Sequence, residues 1–366
     1  MARIVLGIGT SHSTVLSLPG QHWQSYGDRD RIREELIFPP EGIRISFDEA
    51  LRSHVPQAIQ DRAGDTRVHA EQFDRCQRAI DQLAGLLAAA APDITVIISD
   101  DQDEWFYDSN MPAFAVYWGD SVPLHPVELP PGSSAVTRQA WSGYGDVSLE
   151  VPVASGLARH LIEALMDGGF DLAHMSYVEA EYGGQVARRY PSANGEWTHT
   201  QKTQPHRQGL PHGFSFVVKR LFGNKPSPIV PVIQNTCYPP NNVRPARCYD
   251  FGLAIAKIVT AWSEDVRVAI VGSGGLSHWI VDEEIDRQLL QALQDGDGEA
   301  LRSLPRHRLY SGTSESLNWV TLGGVMAGTQ LTPRLLDYVP VYRTEAGTGG
   351  GLAFMGWHEK GTGPAR

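Results

Sequence analysis

Short apolar runs alternate with amphipathic stretches along this chain. Arg3 to Ile8 is a β-branched, apolar run that predicts a buried strand. Gly7, Gly9 and Ser11 interrupt it, and His12 stands at its carboxyl end. Phe73 to Ala91 carries Cys76, Ile80, Leu83 and Leu87 at helical spacing, and Pro92 ends the pattern. Ile94–Ile98 predicts the next buried strand and runs directly into Ser-Asp-Asp-Gln-Asp-Glu-Trp-Phe. Phe114–Tyr117, Asp171–Val178, Ile229–Ile233, Val266–Val271, Tyr338–Tyr342 and Leu352–Met355 read as further strands. Helices are predicted over Ser155–Met166, Phe214–Leu221 and Cys248–Trp262, then up to Leu293, and from Ser314 or Glu315 to Met326. Strand and helix alternate throughout, which predicts one α/β domain with a central β-sheet core flanked by helices.

Two regions depart from the alternation. Residues 20–70 are polar and proline-bearing, with Trp23, Tyr26 and Phe38 as possible anchors. Residues 180–210 have few aliphatic side chains and hold Arg188, Arg189, His199, His206 and Arg207. Both read as insertions, the second as a lid candidate, and the first as a possible surface for a second copy. The three arginines could meet a substrate carboxylate, although a solvated loop face explains them better.

Composition narrows the class. A formal net charge of −11 over 366 residues argues against a nucleic-acid or anionic-membrane partner. Three cysteines, Cys76, Cys237 and Cys248, form no Cys-x-x-Cys pair, so a reducing cytoplasm is the expected location. No signal peptide is read at the N-terminus, and no apolar stretch is long enough to span a bilayer. Gly-Ser-Gly-Gly-Leu-Ser-His after Val271 lacks both Gly-x-Gly-x-x-Gly and a phosphate-loop lysine, so no nucleotide site is predicted.

Polar groups gather where strands end. His12, the Asp100–Glu104 cluster, His212 at a helix start, and His278 with Glu284 just beyond it all occupy such positions. Ligands of open α/β sheets bind beyond strand carboxyl ends, so the set predicts a histidine–carboxylate metal site with an acid–base histidine. His54, His69 and His160 read as packed or surface histidines.

The sequence resembles the class III extradiol ring-cleavage dioxygenases, typified by the catalytic β subunit of protocatechuate 4,5-dioxygenase. The resemblance rests on GIGTSHS, SDDQDEWF, the Pro-His-Gly of His212, PVIQNTCYPPN, VGSGGLSHWI with DEEID behind it, SGTSESLNWV and YRTEAGTGGGLAFMGW. It implies non-haem Fe(II) held by two histidines and a carboxylate, with a catecholic or gallate-type substrate and O₂. By motif, His12 is the first ligand, Glu284 the carboxylate ligand, His212 the acid–base histidine, and His278 a neighbour of metal or substrate. The second ligand histidine of the family is replaced by Gln102. Gln102, Asp101, Asp103, or a remote histidine such as His54 or His69 could complete the site. A metal-dependent hydrolase, or a non-catalytic member that has lost a ligand, are the competing readings.

Overall fold

The computed structural model describes residues 1–366 except 33–35, 53–54, 182–185, 189–199, 203–206 and 360–366. Eight strands form the main sheet. They are β1 (Arg3–Thr10), β2 (Ile94–Asp100), β3 (Phe114–Tyr117), β4 (Ala173–Met175), β5 (Ile229–Gln234), β6 (Arg267–Ser273), β7 (Thr332–Tyr342) and β8 (Gly349–His358). Their spatial order is β7-β8-β1-β6-β2-β5-β3-β4. The central four, β1-β6-β2-β5, run parallel. β8 joins β1 antiparallel, and β7 and β8 form a long hairpin.

Every residue of β2 and β5 is buried, as expected of parallel strands covered on both faces. The pleat sends Ile94, Val96 and Ile98 to one face and Ile97 to the other. On the first face lie helices α2 (Ser155–Asp167), α4 (Pro245–Ala261), α5 (Glu283–Asp295) and α6 (Ser316–Ala327). On the second lie α1 (Thr66–Ala90) and α3 (His212–Arg220). The predicted α/β architecture, a sheet core between helices, is therefore present.

Several elements exceed their predicted bounds. Helix α1 starts at Thr66 because Asp65 caps it, accepting from the backbone N–H groups of Arg67 and Val68 at 2.9 and 3.3 Å. His69 therefore sits on the buried stripe of α1, not on the surface. Its Nε2 donates to the Tyr342 carbonyl at 2.9 Å, and its ring packs on Trp23. Strand β8 starts at Gly349, three residues ahead of the predicted Leu352, and so takes in Gly349, Gly350 and Gly351. A Cβ at Gly349 would lie 1.7 Å from the Val341 carbonyl oxygen, so only glycine permits this hairpin pairing. In the residue 20–70 region, Trp23 and Tyr26 are buried anchors as expected. His54, Arg189, His199 and His206 lie outside the described residues. Among the described residues, no helix is long and apolar enough to cross a membrane.

Helices α4 and α6 approach backbone to backbone through Gly252 and Gly324. A Cβ on Gly252 would fall 2.0 Å from the Thr321 carbonyl oxygen. Gly252→Ala is expected to lower stability by about 1–3 kcal/mol through overpacking, read as a shifted denaturation midpoint.

Candidate active site and metal centre

The carboxyl ends of the parallel strands deliver most of the site. His12 lies two residues beyond β1, Gln102 two beyond β2, and the loop from Gly274 to His278 follows β6. His212 opens α3, and Glu315 closes a 3₁₀ turn, Ser311–Glu315, ahead of α6. These residues line one cavity of about 330 Å³, together with Trp141, Tyr144 and Trp279.

Glu315 is the hub. It is 4 % exposed, and its Oε2 accepts from the Gly275 backbone N–H at 2.6 Å and lies 3.3 Å from His12 Nε2. Its Oε1 accepts from Gln102 Nε2 at 2.7 Å and lies 3.4 Å from His278 Nε2. Burial opposes its charge, but His278 above all outweighs that and holds the carboxyl far below the usual carboxylate range.

The tautomer of His12 follows from its neighbours. The Ser273 hydroxyl donates its proton to the Gly213 carbonyl at 2.7 Å. It can then only accept from His12, whose Nδ1 is 2.9 Å away and so carries the proton. Burial also lowers the His12 pKa to about 4, so the ring is neutral near pH 7. Nε2 is left with a lone pair, buried and without a hydrogen-bond partner. It therefore faces the Glu315 carboxylate across 3.3 Å, acceptor against acceptor. A cation between the two resolves that opposition, and a neutral imidazole beside a carboxylate is a fitting donor pair for a divalent metal. His12, His212 and Glu315 each offer a ligand atom within 4.8 Å of the others.

His212 is held by Glu104. The Glu104 carboxylate accepts from the His212 backbone N–H at 2.8 Å and from Nδ1 at 2.7 Å. Burial pulls the imidazole pKa down, but Glu104 overcomes it and raises it to about 10. With Nδ1 engaged, Nε2 is the nitrogen left to exchange protons. The His212 ring stands edge-on to His12, with centroids 4.8 Å apart, and to Tyr144 at 5.0 Å.

His278 lies in a slot between two glycines. A Cβ on Gly312 would come within 2.0 Å of its ring, and one on Gly275 within 2.6 Å. Its Nδ1 donates to the Leu276 carbonyl at 2.7 Å, which turns Nε2 toward Glu315. Burial lowers its pKa, and the Glu315 carboxylate more than reverses this.

Not every residue singled out in the sequence reaches the cluster. Glu284 does not. Its side chain is 78 % exposed and pairs with Arg308 at 3.3 Å, because it lies on the outer face of α5 while Ile285, Asp286 and Leu289 face inward. Glu315 is the carboxylate at the centre instead. Gln102 arrives, but through its amide nitrogen, donating to Glu315 and to Asp100. Asp101 accepts from the backbone N–H groups of Trp105 and Phe106 at 2.8 and 3.1 Å and so shapes its own turn. Asp103 accepts from the Tyr238 hydroxyl at 3.0 Å. His69 is committed to Tyr342, as described above.

Sequence reasoning missed Glu315 and the role of Glu104. A signal for Glu315 existed, since it is a lone carboxylate opening a helix that is buried from Ser316 to Met326.

Residues 49–348 match the family described as the catalytic LigB subunit of aromatic ring-opening dioxygenase. His212, His278 and Glu315 fall within the match, and His12 precedes it. A 212-residue stretch is 27 % identical to a protein from Mycolicibacterium paratuberculosis named 2,3-dihydroxyphenylpropionate/2,3-dihydroxicinnamic acid 1,2-dioxygenase, covering 56 % of this chain and 50 % of that protein. The chain thus spans about half the length of that curated relative. The family match covers well over half of the sequence, and the chain belongs to the LigB family of aromatic ring-opening dioxygenase catalytic subunits.

Proposed function

We propose that this protein opens a catechol- or gallate-type aromatic ring with O₂ in the extradiol manner, using Fe(II) held by His12 and Glu315. The observation that carries the reading is the orphaned lone pair of His12 Nε2, facing the buried Glu315 carboxylate. Bound there, Fe(II) supplies a redox-active Lewis acid for two adjacent phenolic oxygens and O₂. The N/O donor set suits iron, and Cys76, Cys237 and Cys248 are buried and do not line the cavity.

The protein's own groups do the rest. Ser273 fixes the His12 tautomer and keeps Nε2 available. Gly275 and Gln102 aim the Glu315 oxygens. Trp141, Tyr144 and Trp279 give the cavity aromatic walls, while Gly349, Gly350 and Gly351 leave space for a flat ring. His212 moves the proton at Nε2, taking it from a phenol and returning it to the opening ring. A cation nearby lowers the pKa that Glu104 raises, so the same imidazole can act in both directions near neutrality. His278 stands beside Glu315 as a second proton-bearing group against the substrate.

A second reading has one observation in its favour. The ligand atoms of His12, His212 and Glu315 cluster closely enough for His212 to bind the metal itself. That makes a two-histidine, one-carboxylate centre and leaves proton transfer to His278.

Metal analysis of anaerobically purified protein tests both. Wild-type protein is expected to hold Fe(II). His12→Ala and Glu315→Ala are expected to lose it, and Glu284→Ala to keep it. Retention of iron by Glu315→Ala overturns the assignment of the carboxylate ligand.

His212→Ala is expected to retain iron and lose about 10²-fold or more in turnover, followed as O₂ uptake with catechols and gallates. Loss of iron from this variant favours the second reading.

Glu104→Gln keeps the shape but removes the charge that pairs with His212. It is expected to lower kcat by roughly 10–100-fold with iron content unchanged.

A further inference from the structure

Behind the metal-binding end stands a second enclosed carboxyl group that the ring-opening chemistry does not use. Asp100 is the last residue of β2 and is fully buried. Its partners are two side-chain amides and not a lysine or arginine. Asn318 Nδ2 donates to Oδ1 at 2.8 Å, and Gln102 Nε2 donates to Oδ2 at 3.1 Å. Both oxygens thus face N–H groups, an arrangement that only the ionised carboxyl satisfies. An enclosed carboxylate without a cation is costly to keep, and hydrogen bonds must hold it.

The two amides lead in different directions. Gln102 gives its second Nε2 proton to Glu315 Oε1 at 2.7 Å. Asn318 gives its second Nδ2 proton to the carbonyl of Ser273, the last residue of β6, at 3.0 Å. Ser273 is also the residue whose hydroxyl holds His12. Asp100 therefore lies between the support of Glu315 and the support of His12. Further back the bonds end inside the core. Gln234, the last residue of β5, donates from Nε2 to Asn318 Oδ1 at 2.8 Å, and its Oε1 accepts from the Thr321 hydroxyl at 2.7 Å. Asn318, Gln234 and Thr321 are all fully buried, and a Cβ on Gly274 would lie 2.9 Å from Asn318 Nδ2. No amide in this series can turn over without setting donor against donor or acceptor against acceptor, and the acceptor-only carboxylate fixes the direction.

We propose that Asp100, seated by Asn318, is a positioning residue for the metal centre, anchoring the Gln102 amide so that it donates to Glu315. The role presupposes that His12 and Glu315 hold a metal, and it names what arranges that pair beforehand. With Asp100 in place, the scaffold fixes Gln102 and Gln102 fixes Glu315 Oε1, while Oε2 stays turned toward His12. Without it, Gln102 is held by the very carboxylate it is there to support.

Anaerobic titration of the whole protein with Fe(II), and with Co(II), whose visible absorption reports ligand geometry, tests this. Asp100→Asn keeps the shape but sets an amide donor against either Gln102 or Asn318. It is expected to weaken Fe(II) binding by about 10–100-fold, the scale for groups that orient a metal ligand, and to shift the Co(II) spectrum. Gln102→Leu, on a half-buried side chain at the cavity wall, reads the same link without disturbing the core and is expected to weaken binding to the same degree. The double variant is expected to bind no more weakly than Gln102→Leu alone, because Asp100 acts through Gln102. Thr321→Val removes the far end of the series with its shape kept. It is expected to leave the affinity within about twofold, since every donor to Asp100 and Glu315 stays in place. A merely structural role predicts additive losses in the double variant and equal losses from Asp100→Asn and Thr321→Val. Either result overturns the proposal, as does wild-type affinity with an unshifted spectrum in Gln102→Leu. Wild-type protein that binds neither ion refutes the metal reading itself, and the positioning role with it.

Discussion

A carboxylate taken out of water must find charge and hydrogen bonds in return, and Glu315 imposes that demand on this fold. It sits at the base of the cavity with its two oxygens divided between two sets of partners. Oε2 faces His12 and the Gly275 backbone, and Oε1 faces His278 and Gln102. Those four come from the ends of β1, β6 and β2, which only a parallel arrangement of the three strands brings to one place. The sheet topology, the glycine-rich loop after β6 and the glutamine after β2 can all be read as answers to one buried charge.

Much of this was legible in the sequence, and the reason is periodicity. Buried parallel strands write themselves as unbroken apolar runs, so β1, β2, β5 and β6 were readable, and with them the strand ends that carry His12, Gln102 and His278. His212 was readable because a histidine precedes an apolar helix. Glu315 was passed over, although it opens a helix with no polar face, because a more crowded acidic segment ahead of the amphipathic α5 drew the assignment. The acidic Asp-Glu-Glu-Ile-Asp segment offered four carboxylates, and the family resemblance pointed to Glu284. Only packing shows that α5 turns that side chain to solvent while the whole of α6 is enclosed. The three glycines that open β8 lay outside the predicted strand for a related reason. A strand of glycines looks like a turn until the close backbone approach of its neighbour is known.

The loop after β2 joins the two halves of the chemistry. Gln102 touches Glu315, and Glu104, two residues on, grips both the backbone and the ring of His212. Asp101 between them accepts from the backbone of Trp105 and Phe106 and holds the loop in shape. The separation between the Glu315 carboxylate and the His212 imidazole is thereby set by one short segment. Gln102 supports that carboxylate through its amide N–H.

The glycines around His278 also bear on how such a protein can diverge. Gly275 and Gly312 press on the imidazole, and Gly349 and Gly351 press on the Val341 carbonyl and the Asp286 carboxylate, so that wall of the cavity admits no side chain larger than hydrogen. A larger side chain there requires those neighbours to move. The opposite rim, built by Tyr26, Arg29, Trp141 and Tyr144, has no such restriction. The shape of the cavity is therefore adjustable along this rim and fixed along the glycine wall.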